Sequence, residues 1–170
     1  MRSFVARALL GLIAVAAVFG MSAMLGGGEA SAGTNCSAAN NQRVEHSKGD
    51  STCIANAGPR SRATARDKTN SGAALAVATT GGTATAENSG NNSSAVASGV
   101  NGGHGYAYSV GPHSSAVAQG RNGGTTIAVS GAAGGAFSTN DGVACLGSMA
   151  ATYNTSTGRG CAKWGGLSIG

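Results

Sequence analysis

The chain has 170 residues, with 11 Lys plus Arg against 6 Asp plus Glu and a formal net charge of +5. Glycine supplies 30 residues, aromatic residues only 4% and charged residues 10%, well below the roughly 25% charged residues of ordinary domains. This composition excludes a core of large apolar side chains, and the low charge with only two prolines argues against a disordered chain. Small, weakly charged side chains favour closely stacked backbone.

Residues 1–32 have the pattern of an export signal. Two arginines precede an apolar run from residue 8 to 25, and an Ala-Ser-Ala site follows at 30–32. This order predicts a secretory signal peptide and a mature chain that begins at Gly33. An uncleaved membrane anchor is the alternative, because the apolar run approaches the length that spans a bilayer. We therefore expect a secreted or cell-envelope protein, with membrane contact only if the segment is uncleaved.

Four cysteines lie on either side of the middle of the chain, at Cys36, Cys53, Cys145 and Cys161. An even number after an export signal predicts disulfides formed in an oxidising compartment. Of the three possible pairings we predict the local one, Cys36–Cys53 with Cys145–Cys161, in which each bond closes a short loop and contributes about 3 kcal/mol. The spacing excludes structural zinc, because no cysteine has a partner within two to four residues.

A 21-residue pattern organises the middle of the chain. Residues 33–53 are polar and are predicted to form an N-terminal cap, and a repeat region follows at 54–137. Clear rows begin at Leu75, Val96 and Val117, and a degenerate row precedes them from residue 54. In each clear row the second residue is alanine, and the seventh and eighth are glycine. Identical residues at a repeat of this length indicate a solenoid.

Each row contains two short alternating runs rich in Val, Ile, Thr and Tyr, which predict β-strands separated by turns that accept positive φ. Positions restricted to Ala and Gly, such as Ala76 and Ala97, are predicted to face inward. The sequence thus favours an all-β fold, a short β-solenoid of about three 21-residue coils, stacked in parallel about 4.8 Å apart. An antiparallel β-meander is the alternative, because Asn-Gly also favours hairpins. Residues 138–170 are predicted to form a disulfide-closed cap over the exposed sheet edge.

Two resemblances follow from these residues. The Ser-Ser-Ala-Val-Ala steps at residues 93–97 and 114–118 resemble head repeats of trimeric autotransporter adhesins, although those repeats are shorter. The layout of an export signal, paired cysteines at both ends and an Ala/Gly-rich middle is similar to small secreted actinobacterial proteins of unknown function. That likeness covers nearly the whole chain, and it implies no activity.

Motifs for chemistry are weak in this sequence. A Gly-x-Ser-x-Gly pattern at residues 166–170 lacks the helix that a hydrolase needs after it. The carboxylates of the mature chain are scattered, and no pair is spaced for acid–base catalysis. A basic cluster at residues 60–68, opposed locally only by Asp67, is predicted to lie on a solvated strand, and without interleaved aromatics it does not indicate nucleic acid. We expect no enzyme, cofactor or metal site.

The predicted function is therefore that of a structural or interaction protein, whose partner is an envelope polymer or a protein. Ordered apolar patches mark interaction sites, and the candidate contact face comprises Leu75, Val96, Val117, Tyr106, Tyr108 and Ile127. The alternative is a soluble ice- or polysaccharide-binding protein. Thr83 and Thr85 begin a threonine row of the kind found on antifreeze solenoids, but His104 and Tyr106 interrupt it.

Overall fold

The structure, a computed structural model, describes residues 33–170, so the predicted signal peptide at 1–32 lies outside the described residues. Regular structure in the described part is entirely β, which confirms the all-β prediction. Within that range no helix is long and apolar enough to cross a membrane. The strands are β1 (Thr34–Ala39), β2 (Arg43–Lys48), β3 (Ser51–Ala57), β4 (Arg62–Asp67), β5 (Gly72–Thr79), β6 (Thr83–Asn88), β7 (Ser93–Val100), β8 (His104–Ser109), β9 (Ser115–Arg121), β10 (Thr125–Ser130), β11 (Gly134–Ser138), β12 (Val143–Gly147), β13 (Met149–Asn154), β14 (Arg159–Trp164) and β15 (Leu167–Ile169).

Successive strands of the repeat region alternate between two sheets. Sheet A has the order β1-β4-β6-β8-β10-β13-β14-β15, and sheet B has the order β12-β11-β9-β7-β5-β3-β2. Strands β4 to β10 of sheet A pair in parallel, as do β3 to β11 of sheet B, and Leu75, Val96 and Val117 align across the coils. The solenoid is therefore confirmed. Antiparallel pairing is confined to the two ends, so the meander alternative is wrong for the repeats.

The solenoid has about four coils, one more than the three clear rows of the sequence. The degenerate row forms the extra coil, because Ile54 pairs with Leu75 and Ala65 pairs with Ala86. This first row differs mainly at outward and turn positions, where stacking tolerates change. The first strand of this coil, β3 (Ser51–Ala57), spans the boundary predicted between residues 53 and 54, where the N-terminal cap meets the repeat region.

The interior is built almost entirely from alanine. The buried apolar residues of the described chain are all alanine or cysteine, and Ala76, Ala97 and Ala107 are each 0% exposed. At Gly120 even one carbon would not fit, since an added Cβ would lie 2.2 Å from the carbonyl oxygen of His104 on the facing sheet. The restricted columns of the sequence thus reflect close approach of two backbones.

Both predicted disulfides are present, and each joins sheet A to sheet B. Cys36 of β1 bonds to Cys53 of β3 with their Cα atoms 5.7 Å apart, and Cys145 of β12 bonds to Cys161 of β14 at 5.9 Å. Packed sheets usually lie about 10 Å apart, so the two sheets approach unusually closely at these bonds. One disulfide closes each end of the solenoid.

The cysteines occupy the same inward columns as the alanines. In sheet B the column begins and ends with cysteine: Cys53, Ala74, Ala95, Ala116, Ala136 and Cys145. In sheet A the corresponding column is Cys36, Ala65, Ala86, Ala107, Ala128, Thr152 and Cys161. A disulfide therefore replaces a facing pair of alanines at the first and last levels of the stack.

One corner of the interior is polar. Asp67, only 2% exposed, accepts hydrogen bonds from the Ser51 hydroxyl at 2.8 Å, the Thr69 backbone at 3.0 Å and hydroxyl at 2.7 Å, and the Asn88 amide at 3.0 Å. Four donors compensate the buried carboxylate for its lost hydration. Because Asn88 lies one coil above Asp67, this bond adds register specificity to a stack of otherwise similar alanines.

The C-terminal cap extends both sheets. Strand β12 pairs antiparallel with β11, and β13 pairs antiparallel with β10, so they cover the last strands of the coils. The cap's large apolar side chains lie outside, since the apolar part of the described interior is built from alanine and cysteine alone. The exposed large apolar residues of the described chain are Leu146, Trp164, Leu167 and Ile169.

Candidate binding surfaces

The six predicted contact residues do not form one face. The two strands of each coil belong to different sheets, and outward side chains on them point to opposite sides of the solenoid. The outer surface of sheet B carries Leu75, Val96 and Val117. The outer surface of sheet A carries Tyr106, Tyr108 and Ile127. A single contact face was thus a wrong prediction, although all six residues occupy outward, half-buried positions.

The C-terminal half of the outer surface of sheet A forms a continuous aromatic and aliphatic surface. Neighbouring strands β8, β10, β13, β14 and β15 contribute to it. This surface, the aromatic face, consists of Tyr106, Tyr108, Ile127, Val129, Met149, Tyr153, Trp164, Leu167 and Ile169. Trp164 is 69% exposed, so the cap presents large side chains to solvent on the same outer surface that carries the tyrosines of the repeats.

Strand register sets the positions of these side chains. Tyr106 pairs with Ile127, which pairs in turn with Tyr153 on the next strand. Trp164 pairs with Leu167 on the neighbouring strand β15. Tyr153 and Trp164 were not predicted as contact residues, because residues 138–170 were assigned to a cap that covers the sheet edge. The structure places Tyr153 on the outer surface, since buried and half-buried residues alternate along β13.

The remainder of the outer surface of sheet A is polar. Strands β4 and β6 present Arg62, Arg66, Thr83, Thr85 and Glu87, and Glu87 forms an ion pair with Lys68. Where the polar and aromatic parts meet, burial raises the pKa of Tyr108, and the neighbouring Glu87 carboxylate and Tyr106 raise it further. The Tyr108 phenol therefore stays neutral and can donate a hydrogen bond from this boundary.

The outer surface of sheet B carries two parallel columns. The first, the aliphatic column, consists of Ile54, Leu75, Val96 and Val117, and the aromatic Phe137 follows Val117 on the next strand. The second, the hydroxyl column, lies two residues earlier on each strand and consists of Thr52, Ala73, Ser94 and Ser115. The Oγ atoms of Ser94 and Ser115 lie 3.4 Å apart, so hydroxyl groups of successive coils are in contact.

A shallow groove of about 640 Å³ runs beside the hydroxyl column, and Asp50, Asn92 and His113 are among the residues that line it. Asn92 and His113 occupy the turns that lead into sheet B, with φ of 53° and 55°. Each turn hydrogen-bonds to the turn of the coil before it, as when His113 donates its backbone N–H to the carbonyl of Asn91 at 3.1 Å. This corner groove is therefore part of the stacked framework.

The structure does not bring titratable residues together into a reactive cluster. Within residues 33–170 no three His, Cys, Asp or Glu side chains are close enough to hold a metal ion. His104 lies on the outer surface of sheet A, His113 in the corner groove and His46 on β2. The hydrolase-like motif at the C-terminus forms strand β15. These residues occupy separate surfaces.

The chain matches the model of a protein family. This family is described as one of unknown function, and its model covers residues 1–164. No curated protein matches the chain, and no solved structure matches it.

Proposed function

The chain belongs to this family of unknown function, DUF6764, and we propose that the protein is a secreted or cell-envelope interaction protein without catalytic activity. It acts by surface contact through the aromatic face. The observation that carries this proposal is the exposure of Trp164, Leu167 and Ile169, by 45% to 69%, on the same outer surface of sheet A as Tyr106, Tyr108 and Tyr153. Contiguous exposed apolar surface on a soluble fold marks an interaction site.

Two features support export. The pattern of residues 1–32 predicts a secretory signal peptide. Both cysteine pairs form disulfides, which persist in oxidising compartments and are rare in the cytosol. An envelope polymer or an envelope protein would therefore be the partner available to the aromatic face.

The side chains of the aromatic face contribute little to the stability of the fold. Thr64, Thr85, Tyr106 and Ile127 share one outward column, so this column accepts polar, aromatic and aliphatic side chains alike. Stability comes instead from the alanine interior and the disulfides. A substitution on the outward column should therefore change binding without unfolding the solenoid.

We expect replacement of Tyr106 and Tyr108 by serine to weaken association with the envelope by about thirtyfold or more, because truncation of an aromatic hot-spot residue at an interface costs about 2 kcal/mol or more and each 1.4 kcal/mol is about tenfold. The measurement is the fraction of protein retained on washed envelopes of the producing cells. Thr64→Ser with Thr85→Ser, on the polar part of the same surface, is the matched control. Unchanged retention of the folded tyrosine variant would remove the aromatic face from consideration.

The alternative function is that of a soluble ice- or polysaccharide-binding protein. The threonines form no flat ladder, because His104 separates Thr83 from Thr125 in one outward column and Thr126 is fully buried. This arrangement disfavours ice, and a thermal-hysteresis measurement tests it. The corner groove, with its hydroxyl lining on the opposite sheet, favours a polysaccharide.

A further inference from the structure

We propose that the corner groove of sheet B binds an uncharged polysaccharide chain, which lies along the axis of the solenoid across successive coils. This inference rests on the polysaccharide alternative and specifies its site and ligand class. The groove lies on the sheet opposite the aromatic face, so the two surfaces can be tested independently.

The lining of the groove matches the chemistry of sugar hydroxyl groups. Thr52, Ser94 and Ser115 present hydroxyls from one outward column, and Asn92 adds an amide from the turn beside it. A hydroxyl both donates and accepts hydrogen bonds. It can therefore pair with the hydroxyls of a sugar in either orientation.

The repeat of the fold determines the shape of the ligand. The hydroxyl column crosses β3, β5, β7 and β9, three steps of about 4.8 Å each, or about 14 Å in total. A small molecule would meet only one or two of these hydroxyls. A repetitive chain along the axis would meet Ser94 and Ser115 on successive coils and Thr52 beyond Ala73, and linked weak contacts of this kind add to the overall affinity.

The aliphatic column supplies the second half of the contact. Val96 and Val117 lie two residues beyond Ser94 and Ser115 on the same strands and the same surface. Sugar rings have polar edges and less polar C–H faces. A glycan can therefore rest its ring faces on the valines while its hydroxyls pair with the serines.

The charges around the groove favour a neutral ligand. Among residues 33–170, Asp50 and His113 are the only titratable side chains that line it, and no lysine or arginine of that range does. The basic residues Arg62 and Arg66 lie on sheet A. An acidic polymer would thus find no fixed cation in the groove and would meet the carboxylate of Asp50, which discriminates against it.

The test is binding of the exported, disulfide-bonded protein to immobilised neutral polysaccharides, with acidic polysaccharides as comparators. We expect binding to at least one neutral polysaccharide and little binding to the acidic ones. Ser94→Ala with Ser115→Ala should lower this affinity about tenfold, because two hydrogen-bonding groups are lost. Alanine is compatible with the stack, since Ala73 already occupies the column.

The matched control is Ser98→Ala with Gln119→Ala, which changes outward polar residues of the same two strands outside the groove. It should bind like the unaltered protein. No binding to neutral polysaccharides, equal binding to acidic ones, or full affinity in the serine variant would each overturn the proposal. Loss of glycan binding in the tyrosine variant alone would also overturn it, since the site would then be the aromatic face. Retention of the serine variant on washed envelopes is measured as well. This retention tests the proposed function independently of glycan binding, so failure of one proposal can be told from failure of the other.

Discussion

Ala97→Leu is expected to lower the free energy of unfolding by about 3 kcal/mol or more, the upper part of the range for overpacked interiors. Ala97 is 0% exposed and lies in an inward column of alanines on β7. The facing sheet leaves no space for three further carbons, because the sheets already approach to backbone contact near Gly120. Room for a leucine could come only from separation of the sheets, which every neighbouring coil opposes.

The measurement is chemical denaturation followed by circular dichroism. Val96→Leu, one residue earlier on the same strand, is the control, because Val96 points outward and is half-buried. We expect a change of about 0.5 kcal/mol or less for this outward substitution. Equal effects of the two substitutions would show that the sheets do not pack as described.

Removal of the N-terminal disulfide by Cys36→Ala with Cys53→Ala should lower the free energy of unfolding by about 3 kcal/mol, the value for a loop of this length. The bonded residues are separated by 17 positions. Alanine restores the residue found at the other levels of both inward columns, so packing is kept and the change reports the loss of the cross-link. Denaturant titration of the oxidised and double-alanine proteins measures it.

Serine is the informative comparison at these two positions. Cys36 and Cys53 are 1% and 0% exposed, so Cys36→Ser with Cys53→Ser buries two hydroxyls among alanines. A buried polar group that lacks a partner costs about 1–3 kcal/mol. The Cys53 carbonyl oxygen, 3.0 Å from Cys36 Sγ, offers an acceptor only at position 36, so the serine variant should be less stable than the alanine variant through the hydroxyl at position 53. If the alanine variant is as stable as the oxidised protein, the disulfide does not stabilise the fold and this prediction is wrong.

The repeat predicted the fold because stacking in register requires equal residues at equal positions. Inward alanines such as Ala76 and Ala118 were recognised for the same reason. The first of the four coils was predicted only as a degenerate row and was left out of the count of three, since Pro59 and Arg60 replace the turn residues of later rows while the inward Ala55 and Ala65 are kept. Inward columns define a coil more reliably than turns do, because only the interior forbids larger side chains.

The surfaces were harder to predict. Periodicity identifies an outward residue, but it does not say on which side of the solenoid that residue lies. Asp67 was predicted to lie on a solvated strand with the basic cluster. In the structure it is buried at the polar corner of the interior. The signal was present in the sequence, since Asn88 and Ser109 follow Asp67 at the same 21-residue interval.

Fractionation of the native culture, with intact mass of the recovered protein, would test export, disulfide formation and surface association together. We expect a chain that begins at Gly33, is four hydrogens lighter than the reduced form, and is retained on the cell envelope. Cleavage and two disulfides would then coincide with surface association. Full-length protein with free thiols, recovered inside the cell, would contradict an exported, disulfide-clamped interaction protein.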